Sequence, residues 1–206
     1  LLPAALHAKD LPGMTDIDAS LMYFCSVVKE HNKVALTGEC ADEIFGGYPW
    51  FYREELLSAD GFPWSCDLDA RTALLKDGLV ASLDLEGYVR QRYEDSLRCT
   101  PLLAGESTEE RRRREIGYLS ICWFMQTLLD RMDRASMSCG LEARVPFADH
   151  RIIEYLYNVP WAMKYQNGVE KTLLRDACRD LLPDELLFRK KSPYPKTYDP
   201  AYETIL

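Results

Sequence analysis

The chain has 206 residues, 47% of them hydrophobic, enough apolar content to bury a sizeable core in one domain or slightly more. A formal net charge of −8 opposes general binding to nucleic acid or to an anionic membrane surface. Seven cysteines without a Cys-x-x-Cys pair, and three scattered histidines, give no zinc pattern and fit a reduced, cytoplasmic setting. No signal peptide is visible, and the longest apolar stretch, around Tyr118 to Leu129, is too short and too polar to span a bilayer. The first residues, Leu1-Leu2-Pro3-Ala4-Ala5, are apolar and lack an initiator Met, which leads us to expect a fragment.

In chain order, Asp16 or Asp18 can cap a helix with Leu21, Phe24, Cys25 and Val28 on one side, ending before Asn32. Val34 to Leu36 is a short buried strand, and no other strand is expected. Residues 56–69 read as a loop. Leu85, Tyr88, Val89 and Arg92 then share one helical stripe. Ser107 followed by Glu110 is a capping-box pattern opening a long helix that buries Ile116, Leu119, Trp123, Phe124 and Leu128. The run Arg111 to Arg114, flanked by glutamates, is expected on the solvated face of that helix. Pro146 forces Leu141 to Phe147 out of helical geometry, and Asp149 can cap a helix with Ile152, Ile153, Leu156 and Tyr157 inward. A last helix carries Leu173, Leu174, Ala177, Cys178 and Leu181 and stops at Pro183; an extended tail follows Ser192.

The segment from Leu36 to Tyr48 is the most informative stretch of the chain. An apolar strand runs into Thr37-Gly38, then into Glu39, Asp42 and Glu43 at the start of a helix. A strand end feeding a helix N-terminus can seat a phosphate or carboxylate on free backbone N–H groups. Carboxylates at the same mouth suit a shared cation such as Mg²⁺, or a proton-transfer step. A capped surface helix with an acidic first turn would look the same. Gly46-Gly47 most simply ends that helix with a left-handed residue.

Three blocks in order, Thr37-Gly38-Glu39-Cys40-Ala41-Asp42-Glu43-Ile44-Phe45-Gly46-Gly47-Tyr48, Asp133 to His150, and Glu170-Lys171-Thr172 with Arg189-Lys190-Lys191, resemble the synthetase domain of the glutamine-hydrolysing asparagine synthetases. The fold implied is mainly α with a short parallel-type strand. It is the C-terminal portion, over 1–206, of an α/β adenine-nucleotide α-hydrolase-like (PP-loop) synthetase domain. The sequence contains no Ser-Gly-Gly-x-Asp-Ser pyrophosphate loop and no N-terminal Cys of a glutaminase domain. The missing synthetase and glutaminase portions are therefore expected partners, a homodimer is open to it, and the isolated chain is expected to be inactive.

The resemblance implies that ATP and Mg²⁺ activate the side-chain carboxylate of aspartate, and that ammonia from glutamine then displaces AMP. It implies nucleotide contact at Thr37 and Gly38, proton handling at Glu39, and Mg²⁺ or substrate binding at Asp42. It also implies charge stabilisation at Lys191 and a second phosphate-directed lysine at Lys171. Asp130 is taken as the partner carboxylate of Glu39, with Glu142 as rival; either could instead be ion-paired to a neighbouring arginine. Cys40 departs from the pattern, standing where the signature has Gly. Alternatives are a β-lactam-synthetase-like enzyme, against which Glu39 speaks, and a non-catalytic helical interaction module.

Overall fold

The computed structural model describes residues 1–11, 13, 15–65, 67–192 and 204, the side chains of Thr15 and Asp16 excepted. The expected extended tail therefore lies outside the described residues beyond Ser192. The chain runs α1 (Leu2–Lys9), α2 (Thr15–Lys29), β1 (Val34–Leu36), α3 (Ala41–Phe45), α4 (Glu54–Leu57), α5 (Asp69–Thr72), α6 (Asp77–Ser82), α7 (Leu85–Cys99) and α8 (Thr108–Leu119). It continues with α9 (Met125–Ser138), β2 (Glu142–Arg144), α10 (His150–Tyr157), α11 (Trp161–Lys164), β3 (Tyr165–Gln166), β4 (Val169–Glu170), α12 (Thr172–Ala177) and α13 (Asp184–Leu187). The protein is mainly helical. Its backbone divides into a first unit of residues 1–40, 126–149 and 175–206, and a second of residues 41–125 and 150–174.

In the first unit, the expected stripe of α2 narrows to Leu21 and Cys25, buried with Ala135 and Leu141, while Val28, Ala35, Met132 and Cys139 pack around them. Phe24 turns outward with Tyr23 and Val27. Asp18 does not cap α2: it lies inside the helix, buried, 3.6 Å from Lys9 of α1. The strand expected to stand alone has a parallel partner. Val34, Ala35 and Leu36 of β1 pair with Glu142, Ala143 and Arg144 of β2, and the Thr37 N–H extends the ladder to the Arg144 carbonyl at 2.9 Å. Glu142 and Arg144 disguised β2, because charged residues are depleted in strands and both ends of this one are exposed. β1 is not the buried strand expected either, since Val34 and Leu36 are exposed and only Ala35 turns inward. The last helix breaks earlier than expected, at Ala177, and Pro183 caps the start of α13 instead of ending a helix. Leu181 is exposed.

The second unit is built on aromatic packing. Trp50, Phe51 and Ile116 form its core, joined by Tyr48, Tyr52, Trp64, Phe124 and Trp161 among others. Tyr48 stacks on Trp50 with centroids 4.3 Å apart, and Phe124 meets both edge-on at 5.2 Å. Ser107 caps α8 as expected, its hydroxyl accepting the Glu110 N–H at 3.2 Å, and Asp84 does the same for α7 through Gly87. A π-helical turn, Ser120–Phe124, follows α8. Trp123 is less buried than expected, but its Nε1 donates to Ser96 Oγ of α7 at 2.9 Å. Tyr88 and Ile152 face outward, and Tyr93 replaces Tyr88 in the buried stripe of α7.

The arginine run corrects the sequence reading most sharply. Only Arg111 lies on the exposed side; Arg112, Arg113 and Arg114 are largely buried. Arg112 donates to the carbonyls of Leu57 and Ala59 at 2.8 and 2.7 Å and to the Tyr93 hydroxyl at 3.0 Å. Arg113 reaches the Phe51 carbonyl and sits over the Trp161 ring. Arg114 pairs with Glu106 at 2.7 Å and donates to the Tyr157 carbonyl at 2.9 Å. These guanidiniums satisfy carbonyls that no helix or sheet ladder uses, so a charge run has become a structural clamp.

A cavity of about 50 Å³ lies beside this clamp, lined in part by Glu43, Gly46, Arg114, Tyr157, Trp161 and Lys164. Burial lowers the Lys164 amine to about 8, helped by the Arg114 guanidinium and opposed by Glu110. A lysine bound less tightly to its proton in the fold costs stability below that value, and the cost fades as pH rises toward 10.5. Lys164→Met is therefore expected to stabilise the protein at pH 7 by about 1–3 kcal/mol and to gain nothing at pH 10.5. Urea titrations at both pH values check this; an equal gain at each would remove desolvation as the cause.

Candidate active site

The strand β1 ends at Leu36, and the next three residues are candidate site residues of the first unit. The Thr37 hydroxyl accepts the Glu39 N–H at 3.1 Å, which folds the chain back on itself after the strand. Thr37 is thus committed locally as well as through its backbone bond to β2. A Cβ placed on Gly38 would meet nothing within 4 Å. The fold itself leaves room for a larger residue there, and the carboxyl end of a parallel strand is where α/β sheets receive ligands. Cys40 closes the turn with φ 72°, buried, in the left-handed region that favours glycine. That geometry gives the signature's Gly a physical reason and makes Cys40 a tolerated strain, of about 1 kcal/mol.

Glu39 is mostly buried, and its partner is Arg131 of α9, with Nη2 3.5 Å from Oε1. Glu39 Oε2 and Arg131 Nε are both buried without a hydrogen-bond partner. Burial pushes the Glu39 carboxyl above its usual range, and the Arg131 charge pulls it partly back. Asp130, expected as the second carboxylate, accepts from Arg134 Nε at 2.7 Å, half exposed. Glu142 pairs with Arg144 at 2.7 Å, the structural arrangement open to it from sequence. Lys191 is exposed, in the same unit, after α13.

The second unit holds Asp42 and Lys171. Their side chains form an ion pair, Nζ to Oδ1 at 2.8 Å, each about one-fifth exposed. Two local devices set it up. Gly46 ends α3 with φ 71°, as the sequence predicts, and a Cβ there would strike Trp161 at 2.3 Å; the Gly47 N–H bonds the Asp42 carbonyl at 2.8 Å. Across the unit, Asn167 and Gly168 turn the β3–β4 hairpin with φ of 52° and 77°, both positive as a type I′ turn requires. Lys171 follows directly, itself left-handed at φ 57°. The Asn167-Gly168 pair is the sequence signal for this hairpin, a pair of strands beyond the single one expected.

Among the described residues, no three His, Cys, Asp or Glu side chains gather into a metal-binding group. A protein-only Mg²⁺ cage is therefore not built here, but Mg²⁺ normally takes one or two carboxylates and completes its shell with phosphates and water. Asp42 fits that single-carboxylate share, in competition with the Lys171 ammonium.

The whole chain, residues 1–206, matches the family model described as asparagine synthase. It belongs to the asparagine synthase family. Asparagine synthetase [glutamine-hydrolyzing] 3 of Bacillus subtilis (strain 168) is 52% identical over 201 residues, which are 98% of this chain and 32% of that protein. Asparagine synthetase [glutamine-hydrolyzing] 1 of the same organism is 29% identical over 94% of this chain and 35% of its own length. The human asparagine synthetase [glutamine-hydrolyzing] is 45% identical over 67 residues, 31% of this chain and 12% of its own. The chain thus spans about a third of the length of the first two relatives. No helix among the described residues is long and apolar enough to cross a membrane.

Proposed function

We propose that these residues form the C-terminal portion of a PP-loop synthetase domain that makes asparagine with ATP, completed by length comparable to that of the relatives. The observation that carries this reading is the end of β1, where an unobstructed Gly38 is followed by a buried, imperfectly satisfied Glu39. A residue whose missing side chain serves no packing need is accounted for by a ligand that approaches the backbone closely.

In the reaction, a carboxylate oxygen of aspartate attacks the α-phosphorus of ATP and pyrophosphate leaves. Ammonia, supplied from glutamine, then attacks the acyl carbon and AMP leaves. Thr37 and Gly38 offer backbone to the nucleotide. Lys191, an exposed compact charge, balances negative charge as the adenylate forms. Glu39, with its proton affinity raised by burial, takes a proton from the incoming nitrogen. Asp130, held by Arg134, can join that proton relay only by leaving its ion pair. Lys171 and Asp42 bring one cation and one carboxylate to the phosphates. Mg²⁺, when bound, would supply charge neutralisation on the phosphate oxygens. The exposed apolar side chains Tyr23, Phe24, Val27 and Leu36 suit burial beneath further layers of such a domain. Reducing, cytoplasmic conditions suit its cysteines.

Aspartate-dependent ATP–pyrophosphate exchange tests the reading, in a protein carrying this chain at the length of its relatives. Gly38→Val should lower exchange at least about tenfold while leaving the melting temperature within about 2 °C, since the new side chain meets no protein atom at Cβ. Absence of exchange in the unsubstituted protein would overturn the proposed activity. Undiminished exchange in Gly38→Val would remove Gly38 from the nucleotide site.

A further inference from the structure

We infer that Arg131 is the positioning residue for Glu39, fixing the orientation of its carboxylate and keeping it ionised. The inference deepens the proposed function and rests on it for the meaning of Glu39. It is drawn from the geometry of α9 and of the turn after β1, both in the first unit.

Glu39 sits against the helix that carries Arg131, and the two side chains are similarly buried, at 18% and 15% exposure. A carboxylate removed from water needs either a proton or a counter-charge. The groups that face it are Arg131 from α9 and the Cys25 thiol from α2, with Cys139 beside Cys25. Burial, Cys139 and Glu39 together push the Cys25 thiol up, so it stays neutral and supplies no counter-charge. Among the described residues, Arg131 is left as the cation acting on Glu39.

The contact is also incomplete. Nη2 and Oε1 are 3.5 Å apart, whereas Glu39 Oε2 and Arg131 Nε have no hydrogen-bond partner. A bidentate fork would lock the carboxylate as an anion. A single long contact holds it in place and leaves its second oxygen able to accept a proton. Arg131 thereby permits a base that is charged at rest yet protonates readily. A lysine at this position keeps the charge but gives up the planar fork, and a methionine keeps only the volume.

The test is a ¹³C NMR titration of the Glu39 side-chain carboxyl in the chain as it stands, using Arg131→Met, Arg131→Lys and, as a control, Arg134→Met. Arg131→Met is expected to raise the Glu39 midpoint by about one pH unit or more, with Arg131→Lys recovering at least half of the shift and Arg134→Met causing none. In the longer protein, the acid limb of amide formation should move up with the midpoint, while ATP–pyrophosphate exchange keeps its pH profile. Should Arg131→Met fail to fold, Arg131→Lys and Arg131→Gln provide the same comparison between retained and lost charge. A Glu39 midpoint that does not follow the charge at position 131 overturns the inference. A midpoint that moves while amide formation does not supports the coupling and instead overturns the proton-transfer role given to Glu39 in the proposed function.

Discussion

Arg114→Ala is expected to destabilise the second unit by about 3–5 kcal/mol, the cost of leaving a buried partner charge uncompensated. Arg114 and Glu106 are both about nine-tenths buried and 2.7 Å apart. The substitution strands the Glu106 carboxylate, removes the donor to the Tyr157 carbonyl and strips a guanidinium from above the Tyr157 ring, 5.1 Å from its centroid. Arg111, three residues earlier and more than half exposed, makes only an i, i+4 pair with Glu115. Its replacement by Ala should cost less than about 1 kcal/mol. Urea unfolding followed by tryptophan fluorescence is a suitable readout, because Trp50, Trp64, Trp123 and Trp161 all lie in the second unit. Replacing both partners, as Glu106→Gln with Arg114→Met, should recover part of the loss, since no lone charge is then left inside. Equal costs for Arg111→Ala and Arg114→Ala would show that the buried clamp adds nothing over a surface pair.

The second large effect belongs to chemistry. In a protein with the relatives' full length, Lys191→Ala should lower aspartate-dependent ATP–pyrophosphate exchange by about 10²–10³-fold, the usual scale for losing one charge-stabilising donor. Lys191 is exposed, and the melting temperature serves as the control for any effect on the fold. Glu39→Gln should behave differently. It removes a proton acceptor of nearly unchanged shape, so exchange should fall less than amide formation, which should drop by about 10²-fold or more. The ratio of the two half-reactions is the decisive quantity. A parallel fall in both variants would mean that neither residue separates adenylation from amide transfer.

The arginine clamp also shows where sequence reading stops. Ser107 and Glu110 announce a helix start from within four residues, and Gly46 announces a helix end by its conformational freedom alone. Both signals are local, and both are seen in the structure. The partners of Arg112 and Arg113, by contrast, are carbonyls of Phe51, Leu57 and Ala59, more than fifty residues upstream. Nothing in a run of four arginines says which of them will find such carbonyls. β2 was hidden for a related reason: Glu142 and Arg144 look like surface charge until β1 supplies the backbone partner.

The candidate site divides in the same way. Thr37, Gly38 and Glu39 are legible as a strand end, and the hairpin that delivers Lys171 could have been read from Asn167-Gly168. The ion pair between Asp42 and Lys171 could not, since 129 positions separate them. Nor could the ion pair of Glu39 with Arg131, which depends on how far α9 is rotated about its axis.

The pairing of β1 with β2 has a consequence for biosynthesis. Val34 is added to the growing chain more than a hundred residues before its partner Glu142. At about 5–20 residues per second, the first strand waits on the order of 5–20 s, with Leu21 and Cys25 of α2 still lacking Ala135 and Leu141 to pack against. Within that interval most of the second unit has already been synthesised and its aromatic core can condense around α8. The nascent chain therefore meets its hazard early, and a chaperone that shields apolar segments would act on α2 and β1 before α9 and β2 are made.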